Sequence, residues 1–443
     1  MPHTLLKLLI ATTILLAGLG FSASAHAYPW MNRHNYFGCT TCHADPSGGA
    51  LLTSYGRAQA DLLLRMRYGS AGGGYAEETS ESDFDSFDDF DEFEEPSGNE
   101  PVAAEPPPQA EPPPQQSPTS APLWGLLATP QWLLVGGSYR HLTLYRPAES
   151  DISTFPMQMD LYGQVEFEGV SAAGSLGLAK VAAGSPFARR AQVTTNQGDD
   201  LNLISRTHWL GLKLGQAFAL RAGRLDLPFG VRIPEHTMWV RRETRTDRES
   251  SQQHGLALAY EGDLLRGELM GILGNYQMAP DDVRERGYSA YLEFNAADFV
   301  YIGASSLVTH AAADFQTFEE DVTRQAHGLF ARAKVVDPLV VLAEGDALVR
   351  SRRDLGYVGF LQLDLELIQG LHVAATAEIL DRGYQDTGDP FNTIRIVPGF
   401  GEPAIGGWLT LDWFFLPQLE ARIDAVARQD EPFTLLTQLH VLL

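Results

Sequence analysis

Residues 433–443 read FTLLTQLHVLL and decide the fold class of most of the chain. Polarity alternates along them, with apolar residues at Phe433, Leu435, Leu439, Val441 and Leu443 and polar ones at Thr434, Gln438 and His440. Successive side chains of a β-strand point to opposite faces, so this stretch predicts a strand with one apolar and one polar face. Strands of about ten residues, apolar towards lipid and polar towards a lumen, are typical of transmembrane β-barrels.

The same alternation recurs upstream. Residues 361–367 read LQLDLEL, and similar runs occupy 161–168 and 256–260. Together with the turn residues they predict sixteen strands, near 132–145, 158–169, 173–183, 202–214, 217–228, 253–261, 264–273, 285–295, 297–309, 325–335, 338–350, 355–366, 369–381, 405–415, 417–428 and 433–443. The fold class predicted for residues 122–443 is therefore all-β, a transmembrane antiparallel barrel of about 16 strands.

Loop lengths support a barrel and orient it. Connections after even-numbered strands are short, as at Gly215-Gln216 and Gly262-Asp263, whereas those after odd-numbered strands are mostly long, as at 184–201 and 229–252. Bacterial barrels have an even strand count, short periplasmic turns and long outer loops. The alternative is a soluble β-sandwich or propeller, but no repeat of about 40 residues, as propeller blades would give, is present.

The chain before the barrel divides into three segments. Residues 1–27 have the features of a signal peptide, with Lys7, an apolar run from Leu8 to Phe21 and the small-x-small site Ala25-His26-Ala27. Residues 28–69 form a small segment, and residues 70–121 are predicted to be a disordered linker, acidic and then proline-rich. The formal net charge of the chain is -24, which argues against a nucleic-acid partner.

The small segment carries the chemistry. Cys39-Thr40-Thr41-Cys42-His43 contains the only two cysteines of the chain and matches C-x-x-C-H, the attachment pattern of c-type haem. Two thiols bind the haem vinyl groups and the histidine binds the iron, so one covalent haem c is expected. A disulfide or a metal clip between the cysteines is the alternative. Apolar residues at three- and four-residue spacing predict a helix over 51–68.

The sequence leaves the sixth iron ligand open. His43 is the expected proximal ligand, and His34 is favoured over Met66 and Met31 on the distal side, with an open position as a further alternative. Arg33 and Arg57 are candidates for pairing with the haem propionates, or else solvated surface residues.

Loop 229–252 of the barrel is rich in charged residues, among them Arg232, His236, Arg241 and Arg248. Solvated loop charge is the simplest interpretation. A selectivity constriction or a docking site is the alternative.

The arrangement resembles the fused cytochrome–porins of the outer membrane, known from iron-oxidising bacteria. The resemblance covers the order of signal peptide, single C-x-x-C-H and barrel, and includes Pro29, Arg33 and the pair Gly56-Arg57. The departures are a glycine displaced to Gly38, the run ADPSGG after His43, and a much longer linker. Oxidation of extracellular ferrous iron is what the resemblance implies.

These features predict an electron-transfer protein of the cell outer membrane, with the haem segment in the periplasm or in the barrel lumen. Its partners would be outer-membrane lipid, an extracellular electron donor or acceptor, and a periplasmic redox carrier. The fourteen carboxylates between Glu77 and Glu111 suit a basic cytochrome. One haem cannot span about 30 Å of hydrocarbon, so the haem must enter the lumen or meet a partner there. The alternatives are a solute porin with a tethered haem sensor or gate, and a haem peroxidase-like enzyme.

Overall fold

The computed structural model describes residues 31, 33, 38–48, 51–66, 129–180, 201–297, 299–386, 396–398, 403–416, 418–429 and 431–442. The predicted signal peptide and linker lie outside these residues. Helix α1 spans Ser54–Gln59 and continues as a π-helical turn over Ala60–Leu64, helix α2 spans Trp239–Thr244, and Asp281–Val283 form a 3₁₀ turn. No helix in the described part of the chain is long and apolar enough to cross a membrane.

Sixteen antiparallel strands form one closed sheet, which confirms the predicted barrel and its strand number. They are β1 Leu133–Arg146, β2 Asp151–Phe167, β3 Val170–Lys180, β4 Leu201–Ile204 with His208–Leu214, β5 Phe218–Leu225, β6 Gln253–Glu261, β7 Leu265–Gly274, β8 Arg286–Ala297, β9 Val300–Ala313, β10 Glu320–Val336, β11 Leu339–Arg350, β12 Gly356–Ile368, β13 Leu371–Asp381, β14 Ala404–Leu416, β15 Leu419–Arg428 and β16 Glu431–Leu442. Both pieces of β4 pair with β3. Tyr384–Asp386 and Ile396–Pro398 form a separate two-stranded ribbon.

The first and last strands close the barrel. β1 pairs with β16 over eight residues, with Ser138 opposite Leu442 and Arg140 opposite His440. Closure leaves no unpaired sheet edge, which a strand-built structure needs in lipid because hydrocarbon offers no hydrogen-bond partners.

Apolar side chains of the strands face outwards, as the sequence predicts. On β12, Leu361 and Leu363 are exposed on the outer surface, whereas Gln362, Asp364 and Glu366 are buried towards the lumen. A soluble sandwich or propeller would bury the leucines instead. The outer surface therefore suits hydrocarbon, and the fold is that of a transmembrane barrel.

Two chain segments occupy the lumen. The first, residues 31–66 and here called the lumen segment, contacts the short-turn end of the barrel: the Gln369 amide donates to the Leu62 and Arg65 carbonyls at 2.8 and 3.0 Å, and the Met66 N–H donates to the Phe414 carbonyl at 2.8 Å.

The second segment is residues 226–252, between β5 and β6, here called the inner loop. It turns into the barrel and buries Val231, Ile233, Met238 and Trp239 in an apolar cluster that also contains Met31 of the lumen segment. The barrel interior in this region is therefore a packed core as well as a polar surface.

The helix predicted over 51–68 is shorter in the structure, and the prediction of its apolar face is partly wrong. Thr53 caps the helix through its hydroxyl, which accepts from the Gly56 N–H at 3.0 Å. Tyr55 and Leu62 are exposed, whereas Gly56 and Arg57 are buried. The face is shifted because Gly56 lies against the Cys42 backbone and because the π-helical turn changes the residue spacing.

Candidate functional site

The C-x-x-C-H residues form a compact turn held by backbone hydrogen bonds. The N–H groups of Cys42 and His43 donate to the Cys39 carbonyl at 3.2 and 2.8 Å. His43 also forms an isolated β-bridge with Leu52, and the Thr53 N–H donates to the Cys42 carbonyl at 2.9 Å. The turn is thus fixed against the residues that lead into α1.

Inward-facing strand residues hold this turn against the barrel wall. The Cys39 N–H donates to Glu261 Oε1 at 3.0 Å, and the Arg266 guanidinium donates to Cys39 Sγ at 3.1 Å. Just after the motif, the Gly48 carbonyl accepts from Arg248 of the inner loop at 2.9 Å. The motif and the residues just after it therefore contact β6, β7 and the inner loop, three parts of the chain that are distant from the motif in sequence.

A buried ion pair anchors the segment that follows His43. Arg221 on β5 donates to the Asp45 carboxylate and also to Glu268 on β7. Burial would raise the pKa of Asp45, but Arg221 and the hydrogen bonds from Ser47 outweigh it, so the pKa lies below its ordinary value. Asp45 is therefore ionised at neutral pH, and the pair carries both charges in a dry environment.

Both cysteines are free thiols in the structure, so the predicted disulfide alternative is not formed. Burial, followed by the effect of Cys39, raises the pKa of the Cys42 thiol to about 11. The thiol is therefore protonated at neutral pH and a poor nucleophile for disulfide exchange. Among the described residues, no three His, Cys, Asp or Glu side chains are grouped as around a metal ion.

Cys39, Cys42 and His43 line one cavity, here called the central cavity, between the lumen segment, the barrel wall and the inner loop. The cavity has a volume of about 250 Å³, close to the lower end of the roughly 300–1,000 Å³ that is typical of ligand pockets. Its apolar lining comes from all three sides and includes Met31, Leu51, Leu64, Leu227, Phe229, Val231, Ile233 and Phe414.

The cavity is also rich in guanidinium groups. Its lining arginines are Arg140, Arg206, Arg232, Arg241 and Arg248. Within the described part of the chain, Arg140 Nε and Arg232 Nη2 are buried without a hydrogen-bond partner, although Arg232 Nη2 lies 3.6 Å from Glu268 Oε2. Donors of this kind suit carboxylate groups of a ligand that has an apolar body.

Of the other residues predicted for the site, several lie elsewhere. Arg57 donates to the Val135 carbonyl and lines a smaller neighbouring cavity, and Arg33 pairs with Glu366. Met66 Sδ accepts from Trp413 Nε1 at 3.3 Å and does not line the central cavity. His34 lies outside the described residues.

The inner loop supplies residues that the sequence analysis did not place at the site. Arg232, His236, Arg241 and Arg248 all line the central cavity. The interpretation of this loop as solvated charge is therefore wrong: the whole Arg241 residue is only 3% exposed. The available signal was the mixture of these charges with the apolar residues Val231, Ile233 and Trp239, which a solvated loop would not need.

Comparisons with known proteins identify the fold. No family model and no curated protein matches the sequence. The loop L8 deletion mutant of OmpT, an outer membrane protein of Vibrio cholerae, superposes with a TM-score of 0.51 at 11% identity, covering 70% of this chain and 99% of that one. Salmonella typhi OmpF in complex with daunomycin gives 0.51 at 11% identity, covering 70% and 97%. The chain has the barrel fold of outer-membrane porins.

Proposed function

We propose that this chain is an electron-transfer protein of the outer membrane, in which one haem c bound to Cys39, Cys42 and His43 lies in the barrel lumen. Electrons would pass between an extracellular donor or acceptor, ferrous iron being one candidate, and a periplasmic carrier. The proposal also assigns the chain to the fused cytochrome–porins that it resembles.

The observation that supports the proposal most is that the three motif residues share one cavity. Cys39, Cys42 and His43 all line the same cavity, and Cys39 Sγ also accepts from Arg266 on the barrel wall at 3.1 Å. That arrangement is required if both thiols and the imidazole are to hold one planar group.

The remaining lining fits the same group. Apolar side chains from three sides would cover a macrocycle. The arginines would receive its carboxylates, two of their buried nitrogens having no hydrogen-bond partner among the described residues. Haem supplies one-electron redox chemistry when bound. The protein's own part is to exclude water with the lumen segment and the inner loop, and to fix His43 through its bridge to Leu52.

A periplasmic partner would meet the lumen segment, because this segment contacts the short-turn end of the barrel. Short turns are periplasmic in bacterial barrels. The acidic run between Glu77 and Glu111, outside the described residues, would attract a basic cytochrome, with an affinity that falls as salt rises.

A second candidate is a solute porin with a tethered haem as sensor or gate. The observation that favours it is the fold, since the chain has the barrel fold of outer-membrane porins. The lumen segment counts against a wide open channel.

The test uses the full chain, purified from outer membranes of a host that attaches c-type haem, and a Cys39→Ala/Cys42→Ala variant as its matched control. Haem that survives denaturing electrophoresis reports covalent attachment. Vesicles with ferricyanide trapped inside then receive ferrous iron or ascorbate outside, and the trapped acceptor is followed by absorbance.

We expect covalent haem and internal reduction with the natural chain, and neither with the variant. Equal reduction by both proteins, or no covalent haem in the natural chain, would overturn the proposal. Release of an entrapped sugar at the same rate from both kinds of vesicle, without haem-dependent reduction, would favour the porin.

A further inference from the structure

The central cavity is lined by histidines from two separate parts of the chain. His43 lies on the lumen segment, whereas His236 lies on the inner loop, and both line the cavity. The two histidines therefore reach the same space from independent parts of the chain.

Hydrogen bonds hold the residues on both sides of His236. The Glu235 side chain accepts from Arg422 Nη2 at 2.6 Å, and the Thr237 carbonyl accepts from Arg428 Nη2 at 3.0 Å. Met238 is fully buried. The backbone position of His236 is therefore restrained by its neighbours, as the position of a metal ligand needs to be.

The ring of His236 has fewer contacts than the side chains of His440 and Met31, which also line the cavity. It makes no hydrogen bond to another residue in the described parts of the chain, and only an electrostatic interaction with Glu249 is present. His440, which also lines the cavity, uses both ring nitrogens, towards Ser138 Oγ at 2.9 Å and Glu420 Oε2 at 2.9 Å. Met31 lines the cavity but packs in the apolar cluster of the inner loop.

We propose that His236 is the sixth ligand of the iron, so that the barrel itself completes the haem site begun by the lumen segment. This inference rests on the proposed function. It replaces His34, Met66 and Met31 as distal candidates, and it couples the position of the inner loop to the coordination of the iron. An inner loop that moves outwards would change the spin state of the iron.

The test is spectroscopic and uses the full-length haem-loaded protein. We would compare the natural chain with His236→Ala and His236→Met, and with His141→Ala as control. His141 on β1 bonds to Tyr139 and Thr154 and does not line the cavity. Retained heat-modifiable migration on gels shows that each barrel is folded.

The natural ferric protein should be low-spin with two nitrogen ligands. In His236→Ala most of the haem should become high-spin, and added imidazole should restore the low-spin spectrum. His236→Met should stay six-coordinate with a higher reduction potential, because methionine ligation raises the potential. His141→Ala should match the natural chain.

A natural chain that is high-spin, or a His236→Ala variant that stays low-spin without imidazole, would overturn the inference and leave the proposed function standing. Absence of covalent haem from the natural chain would instead contradict the proposed function. The two failures are therefore separable in one set of samples.

Discussion

The outer face of the barrel and its lumen differ in what determines which residue suits each position. On the outer face, polarity depends only on whether a residue is odd or even within its strand, because the whole face has one solvent. In the lumen, buried charges meet partners far away in sequence: Arg221 and Asp45 are 176 residues apart, and Arg241 and Glu344 are 103 apart.

This difference indicates which changes each region tolerates. The outer face requires only apolar character, so its residues are interchangeable within that limit. The lumen requires particular pairs, because a buried charge that loses its partner keeps its desolvation cost. Substitutions in the lumen should therefore release the lumen segment while the barrel stays closed.

The largest effect is expected from Arg221→Met. It removes the partner of two buried carboxylates, Asp45 on the lumen segment and Glu268 on β7. Loss of one member of a buried ion pair costs about 3–5 kcal/mol. Hydrogen exchange at residues 38–48 should rise strongly, whereas the strand amides should stay protected.

Lys213→Met is the matched control for Arg221→Met. Lys213 pairs with Glu166 on the surface, where their side chains are 60% and 32% exposed. Such pairs contribute about 0–1 kcal/mol. If both variants gave the same exchange at residues 38–48, the contrast between buried and solvent-exposed ion pairs would not hold.

The next largest effect is expected on the outer face, from Leu409→Arg near the middle of β14. An arginine facing lipid costs about 2–4 kcal/mol at the bilayer midplane and about 0–1 near the interfaces. Ile405→Arg, at the end of the same strand and on the same face, should therefore cost less. Both residues are strongly exposed in the structure, at 57% and 63%. Urea titration of refolding into vesicles gives the two free energies, and equal values would show that Leu409 does not face hydrocarbon.

The same contrast decides how much the sequence predicts. The strand Gln253–Glu261 coincides with its prediction at 253–261, because alternation against one solvent is a local property. β2 begins at Asp151 rather than at 158, since its first residues pair with β1 beyond the regular alternation.

The candidate site divides in the same way. Cys39, Cys42 and His43 are found from a local pattern, and the structure places them together. His236 and the lining arginines come from a loop that folds inwards onto distant strands, for example through the Val231 N–H and Glu344 Oε2 at 2.7 Å. No spacing along the chain encodes such a contact, so sequence reasoning placed these residues in solvent.

The smallest effect, and the one whose sign is most informative, is expected from Gly56→Ala in α1. A Cβ at Gly56 would lie 2.1 Å from the Cys42 carbonyl oxygen, which is backbone and cannot move without the motif. Overpacking of this kind costs about 1–3 kcal/mol. Alanine is otherwise the better helix former, by about 1 kcal/mol. A helix free of the motif would therefore be stabilised by the change, whereas a helix packed on Cys42 would be destabilised.

Gly163→Ala on β2, where no atom lies within 4 Å of the added carbon, is the control and should be neutral or stabilising. Protease susceptibility of residues 53–64 measures the outcome. Increased cleavage in Gly56→Ala alone would support close packing of α1 on the C-x-x-C-H turn, and increased protection would contradict it.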